Sequence, residues 1–184
     1  MITYGAHLFL WRSRFTDQDL AMLLGRAVEL GLGFLEIPIG DDVRFDAAGL
    51  RRRAQHHAVD VVLSPGCLWP ERADISLPGS EAGSFSVEWH SRAIDLCAEC
   101  GAIAYTGAIY GRPGRVAGAP PSTAEQGVIA ERLHTLAEHA ARRGVTLVLE
   151  PMSHFRTHVV NTPAQAVALL RLADHHNLFV LLDT

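Results

Sequence analysis

The sequence lacks the features that mark several large classes of protein. No apolar run reaches the roughly 18 residues that a membrane-spanning helix needs. The 184-residue chain also has no basic excess, since 16 Lys and Arg stand against 20 Asp and Glu, a formal net charge of -4. Because nucleic-acid-binding surfaces usually carry a basic excess, we expect neither a membrane nor a nucleic acid as a partner.

Cysteine is scarce as well, with three residues in the whole chain. An odd number in a chain that is not a small cysteine-dense scaffold favours a reducing compartment, so we expect a cytoplasmic protein. Cys97 and Cys100 form a C-x-x-C pair inside a helical pattern, with no second pair, which favours helix packing over a zinc or redox site. The first residues carry no basic segment ahead of an apolar one, so we expect no signal peptide.

Short apolar runs alternate with helical patterns along the chain. Six runs predict strands, at residues 4–10, 34–38, 59–63, 102–109, 145–149 and 178–182. Between them, apolar residues at helical spacing predict five helices, whose starts are marked by Thr16, Asp46, Ser84, Ser122 and Thr162. The hydrophobic content of 48% is enough for a real core. We therefore expect a single domain over residues 1–184.

Strict alternation of strands and helices predicts parallel strands with helices outside. An open doubly wound sheet and a (β/α)8 TIM barrel both fit this order. A dinucleotide-binding sheet has a Gly-rich turn after its first strand, whereas Trp11-Arg12-Ser13-Arg14 follows the first strand here. Polar residues at strand ends favour the barrel, and a full barrel takes about 250 residues. We expect its N-terminal part, truncated at about (βα)5β6.

Two carboxylates stand at the ends of the fifth and sixth predicted strands. Glu150 follows Leu149 directly, and Asp183 follows Leu182. The carboxyl ends of neighbouring parallel strands lie at the same end of a barrel, so we expect these two side chains in one cavity. Two close carboxylates repel each other there unless a cation lies between them. A hard divalent ion with oxygen ligands relieves that repulsion. The alternative is that each carboxylate caps the next helix or pairs with an arginine.

The segment that begins with Glu150 carries a family resemblance. Residues 149–162, LEPMSHFRTHVVNT, resemble the fifth-strand motif of the ketose 3-epimerases of the D-tagatose, D-psicose and L-ribulose type, in the xylose isomerase-like TIM-barrel superfamily. Residues 181–184, LLDT, resemble the next strand of that family, and similarity elsewhere is diffuse. The resemblance implies a TIM barrel and a sugar isomerase or epimerase in carbohydrate metabolism.

The resemblance also implies a divalent metal, with Mn2+ favoured over Mg2+ or Co2+. The family binds it through a Glu, an Asp, a His and a second Glu. Glu150 and Asp183 correspond to the first two, and the other two have no counterpart in this chain. Glu150 is further implied as a base that moves the C3 proton of an open-chain ketose, while the ion stabilises the enediolate. C3 epimerisation and aldose–ketose isomerisation share this chemistry, so the choice between them stays open.

Three residues are predicted to contact the substrate: His7, Trp11 and Arg156. Arg156 stands where the sugar epimerases carry a second glutamate, and an arginine prefers a phosphate or a carboxylate. We therefore expect a sugar phosphate or a sugar acid, unless Arg156 pairs with a local acid. His7 takes the place of a family aromatic residue. It and Trp11 either contact the substrate or simply pack.

For several other polar and aromatic residues, the sequence gives weaker support for a role in the site. Glu36 ends the second strand among apolar residues, and we expect it to order the pocket. Trp69 and Tyr110 either wall the site or pack in the core. His154 and His158 flank Arg156 and are interpreted as loop residues, because the family uses neither.

Two other interpretations of the chain compete with a sugar enzyme. Endonuclease IV, from the same superfamily, needs histidines at the ends of the third and fourth strands, where this chain has Leu63-Ser64-Pro65 and Ile109-Tyr110-Gly111. A non-catalytic truncated module is the other alternative, since only two of four metal ligands are present. The edge of the sixth strand would then need a partner, so a homo-oligomer is a further expectation.

Overall fold

The computed structural model describes residues 2–66 and 69–183, so Cys67 lies outside the described residues. The strands are β1 (Gly5–His7), β2 (Phe34–Pro38), β3 (Asp60–Ser64), β4 (Ala104–Gly107), β5 (Thr146–Leu149) and β6 (Leu178–Val180). The helices are α1 (Asp17–Glu29), α2 (Ala47–His57), α3 (Ser80–Cys100), α4 (Thr123–Arg143) and α5 (Pro163–Ala173). Short 3-10 turns occupy Leu8–Leu10 and Glu71–Ala73. None of the helices described is both long and apolar enough to span a membrane.

The six strands form one sheet in which every strand pairs in parallel with the next one along the chain. In a doubly wound sheet the strand order would reverse at a switch point. The unbroken order from β1 to β6 is that of a barrel wall, with one helix following each of the first five strands. The expected (βα)5β6 portion of a TIM barrel is confirmed.

In β2 and β5, alternate side chains pack into the hydrophobic core. Leu35 and Ile37 of β2 are fully buried, and so are Leu147 and Leu149 of β5. Glu36, between the first two, is only partly buried. Since successive side chains of a strand point to opposite faces, Glu36 lies on the face away from this core.

The predicted start signals are correct for four of the five helices. Their side chains accept a hydrogen bond from a backbone N–H in the first turn, which satisfies a donor that the helix leaves free. These caps are Thr16, Asp46, Ser122 and Thr162. Thr16 and Thr162 each belong to a reciprocal capping box.

Several predicted boundaries are wrong, among them the end of β6, which lies at Val180 and not at residue 182. Helix α3 begins at Ser80 and not at Ser84, because the chain enters the helix directly after a Pro-Gly turn. Strand β1 ends at His7 and not at residue 10, because the next three residues wind into a 3-10 turn. Strand β4 ends at Gly107 and not at residue 109, because Gly107 has a φ of 120°, outside the strand region.

The C-x-x-C pair packs inside the protein. Cys97 and Cys100 are buried on α3 and are free thiols. Burial raises the pKa of both thiols, that of Cys100 to about 11. Metal binding and disulfide exchange require the thiolate, so the structure agrees with the helix-packing interpretation.

A buried histidine joins α3 to β4 and to the second 3-10 turn. The ring nitrogens of His90 lie 2.9 Å from the Tyr105 hydroxyl and 3.1 Å from the Ala73 carbonyl oxygen. A neutral ring satisfies both contacts, since Nε2–H donates to the carbonyl and Nδ1 accepts from the hydroxyl. Burial lowers the pKa of His90 to about 3, so the charged form is not compatible with this packing.

We predict that His90 makes the protein less stable as the pH falls. Its pKa is about 3 in the folded chain and about 6.5 in the unfolded chain, so the unfolded state binds the proton first. Stability is then lost progressively below about pH 6.5, and at about pH 5 the loss from this group is about 2 kcal/mol. Urea unfolding at neutral pH and at about pH 5 should show this loss in the wild type and not in His90→Gln.

His56→Gln is the matched control, because His56 is exposed on α2. It should keep the pH dependence of the wild type. The same pH dependence in His90→Gln as in both of these proteins would contradict a buried, neutral His90.

Candidate functional site

The carboxyl ends of the six strands surround a cavity of about 510 Å³. In TIM barrels this end of the strands carries the active site. The lining residues come from the strand ends and the loops after them: His7, Phe9, Glu36, Ser64, Pro65, Gly66, Trp69, Gly107, Ala108, Pro113, Glu150, Met152, Arg156, Leu181, Leu182 and Asp183.

Three carboxylates line the cavity: Glu36, Glu150 and Asp183. Burial raises the pKa of Glu150, and the negative charges of Asp183 and Glu36 raise it further, while Arg156 acts in the opposite direction. A carboxyl group with a pKa raised by burial and by like charges in a cleft is a candidate functional group. The structure therefore brings the predicted pair, Glu150 and Asp183, into one cavity, and adds Glu36 to it.

His7 lies beside Glu36 at the end of β1. Its Nδ1 accepts a hydrogen bond from the backbone N–H of Phe9 at 3.1 Å. Its Nε2 lies 3.8 Å from Oε1 of Glu36. Glu36 thus has a polar neighbour inside the cavity, and its role in ordering the pocket stays a prediction. Contact of His7 with a substrate stays a prediction.

The cavity brings together two of the three predicted substrate contacts. His7 and Arg156 line it, whereas Trp11 is partly buried against the hydrophobic core and is not among the lining residues. Trp69, which is almost completely buried, lines the cavity instead. Both tryptophans lie in segments that follow strands. Because the two segments take different paths, Trp69 reaches the cavity and Trp11 does not.

Tyr110, considered as a wall of the site, anchors the backbone behind it. The side chain is fully buried. Its hydroxyl lies 2.9 Å from the carbonyl oxygen of Glu150 and 3.0 Å from that of Val160. The hydroxyl proton is donated to these two acceptors, which ties the start of the loop between β5 and α5 to its end.

Further hydrogen bonds fix the same loop. The side-chain amide of Asn161 donates to the carbonyl oxygens of Met152 and Thr157, both at 2.9 Å. The backbone N–H of Gly114 donates to the carbonyl oxygen of Arg156 at 2.7 Å. The backbone that carries Glu150 and Arg156 is therefore held on both sides, which positions the two side chains relative to each other.

A polar network of low exposure holds the loops that follow β3, β4 and β5. Nε2 of His158 lies 3.1 Å from Oε1 of Glu125. Arg115 lies 3.6 Å from the same oxygen and 3.8 Å from the buried carboxylate of Asp74. His154 is exposed, and neither it nor His158 lines the cavity. Both are loop residues, as predicted, and His158 has a structural role that the sequence did not indicate.

Sequence reasoning missed two buried hydroxyl groups, one that lines the cavity and one beside it. Ser64 ends β3 and lines the cavity, and Thr106 lies in β4 next to the lining residue Gly107. Both are buried, and neither hydroxyl has a hydrogen-bond partner within the described part of the chain. The sequence pattern that identified Glu150, a polar residue at the end of an apolar strand, could also have identified these two residues.

The chemistry of the carboxylates fits a divalent cation in part. Glu150 and Asp183 offer hard oxygen ligands whose mutual repulsion a cation would relieve. Across residues 2–66 and 69–183, no group of three His, Cys, Asp or Glu side chains is arranged to hold an ion. The ends of β3 and β4, Ser64 and Gly107, supply no histidine of the endonuclease IV kind.

Curated proteins similar to this chain are sugar epimerases. A ketose 3-epimerase of Arthrobacter globiformis is 28% identical over 186 residues, which covers 98% of this chain and 61% of that protein. An L-ribulose 3-epimerase of Mesorhizobium japonicum is 28% identical over 184 residues, which covers 100% of this chain and 61% of that protein. The chain thus spans about three fifths of the length of the curated relatives it matches.

Solved structures agree with this similarity. The structure of an L-ribulose 3-epimerase matches with a TM-score of 0.87 at 26% identity, covering 98% of this chain and 60% of that one. A D-allulose 3-epimerase of Methylomonas sp. in complex with D-allulose matches with a TM-score of 0.85 over 97% of this chain and 61% of that one. At 22% identity the second match supports the fold alone. Residues 24–184 match the family model described as xylose isomerase-like TIM barrel, and the chain belongs to that family.

Proposed function

We propose that this chain is the N-terminal part of a divalent-metal-dependent sugar isomerase or epimerase that works through an enediolate. The proposal depends on one observation: Glu150 and Asp183 line the same cavity, and Asp183 contributes to the raised pKa of Glu150. The relatives are ketose 3-epimerases and L-ribulose 3-epimerases. Their names favour epimerisation at C3 of a ketose over aldose–ketose isomerisation.

Glu150 and Asp183 would hold the ion, with Mn2+ the first choice and Mg2+ or Co2+ as alternatives. When bound, the ion supplies a Lewis acid that stabilises negative charge on adjacent substrate oxygens. Glu150 also takes the C3 proton, because its burial strengthens it as a base relative to an exposed glutamate. The remaining ligands and the opposing base have no counterpart among the residues of this chain.

Arg156 would determine the charge of the preferred substrate. It lines the cavity and lies close enough to Glu150 to lower the pKa of that carboxyl group. A guanidinium group at this place can bind a phosphate or carboxylate on the sugar through two parallel hydrogen bonds. A sugar phosphate or sugar acid is therefore the proposed substrate class.

We predict weak Mn2+ binding by this chain alone, because two carboxylates supply only half of the expected ligands. Isothermal titration should give a Kd of about 10⁻⁴ to 10⁻³ M, as in weak oxygen-ligand sites. Binding should weaken as the pH falls, because protons compete with the ion for Glu150, whose pKa is raised. Glu150→Gln should abolish binding. Glu138→Gln, on the exposed surface of α4, should not change it.

The same titration discriminates the second candidate function, a non-catalytic module. That candidate is favoured by the absence of a three-residue ligand cluster among the described side chains. No Mn2+ binding by the wild type would support the module and contradict the partial site. Tight binding that survives Glu150→Gln would contradict the ligand assignment.

We predict that Glu150→Gln slows exchange of the C3 proton with solvent by about 100-fold or more, the usual contribution of a general base. The measurement is deuterium incorporation into D-allulose, followed by NMR in D₂O with Mn2+ present. Asp183→Asn should also be slow, but excess Mn2+ should restore part of its rate, because this residue is proposed as a ligand only. Equal rescue of both variants would contradict the base role of Glu150.

We predict that a ketose phosphate binds about tenfold tighter than the matching neutral ketose, since one charge-assisted hydrogen bond contributes about 1.5 kcal/mol or more. Arg156→Gln should remove this preference, and Arg156→Lys should keep part of it. Arg171→Gln, on the exposed face of α5, is the control. Calorimetric affinities that are equal for the two ligands in the wild type would contradict the anion assignment.

A further inference from the structure

The proposed metal binding and proton transfer leave two buried hydroxyl groups unexplained: Ser64 lines the cavity, and Thr106 directly precedes the lining residue Gly107. Ser64 is 4% exposed and Thr106 is 2% exposed. Among the residues that the structure describes, neither the Ser64 Oγ nor the Thr106 Oγ1 has a hydrogen-bond partner. Buried hydroxyls are nearly always hydrogen-bonded in folded proteins, because leaving one without a partner costs free energy.

The register of the sheet brings these two residues side by side. Val62 pairs with Ala104, and Leu63 pairs with Tyr105. Ser64 and Thr106 follow at the next position, so their side chains lie next to each other on one face of the sheet. In each strand this is the face opposite to the buried Leu63 and Tyr105, which belong to the hydrophobic core.

Two glycines beside the hydroxyls line the cavity. Gly66 follows β3 with a φ of 54°, and Gly107 ends β4 with a φ of 120°. Side chains are strained at these φ values, and a Cβ on Gly66 would also lie only 3.1 Å from the Cβ of Pro38. Glycine at these two places leaves room in the cavity that a side chain would fill.

We propose that Ser64 and Thr106 together bind one neutral hydroxyl group of the bound sugar, an inference that rests on the proposed function. Each side-chain hydroxyl can donate one hydrogen bond and accept others. The pair can therefore offer one donor and one acceptor to the same substrate hydroxyl. A site built in this way discriminates against an analogue that lacks the hydroxyl, because its own buried groups are then left without partners.

The test uses Thr106→Val, which keeps the shape of the side chain, and Ser64→Ala. The ligands are D-allulose and its monodeoxy analogues, each lacking one hydroxyl, with Mn2+ present and calorimetry as the readout. The wild type should bind one analogue about tenfold more weakly than D-allulose, as the loss of a hydrogen bond with two partners predicts. Thr106→Val should bind D-allulose about as weakly as the wild type binds that analogue.

Stability in the absence of ligand gives an independent readout. Thr106→Val removes a hydroxyl that has no partner, so its unfolding midpoint should equal or exceed that of the wild type. Ser86→Ala is the matched control, because the buried hydroxyl of Ser86 donates to the Gly83 carbonyl oxygen at 2.9 Å. This control should lower the unfolding midpoint and leave the Kd for D-allulose unchanged.

The outcomes separate this inference from the proposed function. Wild-type affinity for D-allulose in both Thr106→Val and Ser64→Ala would overturn the inference and leave the proposed function intact. A ligand-free Thr106→Val protein as destabilised as Ser86→Ala would also overturn it, because the hydroxyl would then be bonded already. No binding of any ketose by the wild type would overturn the proposed function, and the inference with it.

Discussion

Repulsion between Glu36, Glu150 and Asp183 is the constraint around which the cavity is built. Parallel pairing brings the carboxyl ends of β2, β5 and β6 to one side of the sheet, where backbone hydrogen bonds such as that from the Leu181 N–H to the Leu149 carbonyl oxygen, at 2.8 Å, keep neighbouring ends together. Arg156 offsets one of the three negative charges. One divalent cation would neutralise the other two. Burial raises the pKa of Glu150, and the negative charges of Asp183 and Glu36 raise it further.

The loop between β5 and α5 sets the distance between Arg156 and the carboxylates whose repulsion it offsets. Tyr110 holds its two ends through one hydroxyl, and Asn161 holds its middle. These anchors are uncharged and have low exposure, so they keep their geometry whether or not the carboxylates bind a proton. Such support matters because a catalytic group displaced by about 1 Å can lose about 100-fold in rate. Tyr110 therefore contributes to the site through the backbone of Glu150, although it does not line the cavity.

Much of this arrangement could be predicted from local sequence patterns. Hydrophobic periodicity predicted the six strands and five helices, and the caps at Thr16 and Thr162 follow from local hydrogen bonding. Glu150 and Asp183 were identifiable because each directly follows an apolar strand. The pairing of Ser64 with Thr106 could not be predicted, because it depends on the register between two strands separated by a long helix. The different positions of Trp11 and Trp69 depend on loop paths, which periodicity does not describe.

Under the proposed function, Arg156 would connect the charge of the substrate to the basicity of Glu150. In the ligand-free chain its positive charge lowers the pKa of the Glu150 carboxyl. A phosphate or carboxylate on the substrate would draw the guanidinium group toward itself, and the anion would add a further negative charge to the cavity. Both effects would raise the pKa of Glu150. Binding of an anionic sugar would therefore strengthen Glu150, the proposed base, for removal of the C3 proton of that sugar. A neutral sugar would leave Arg156 beside Glu150 and would gain no such effect. The preference for an anionic substrate would then be expressed in the rate of proton transfer as well as in affinity.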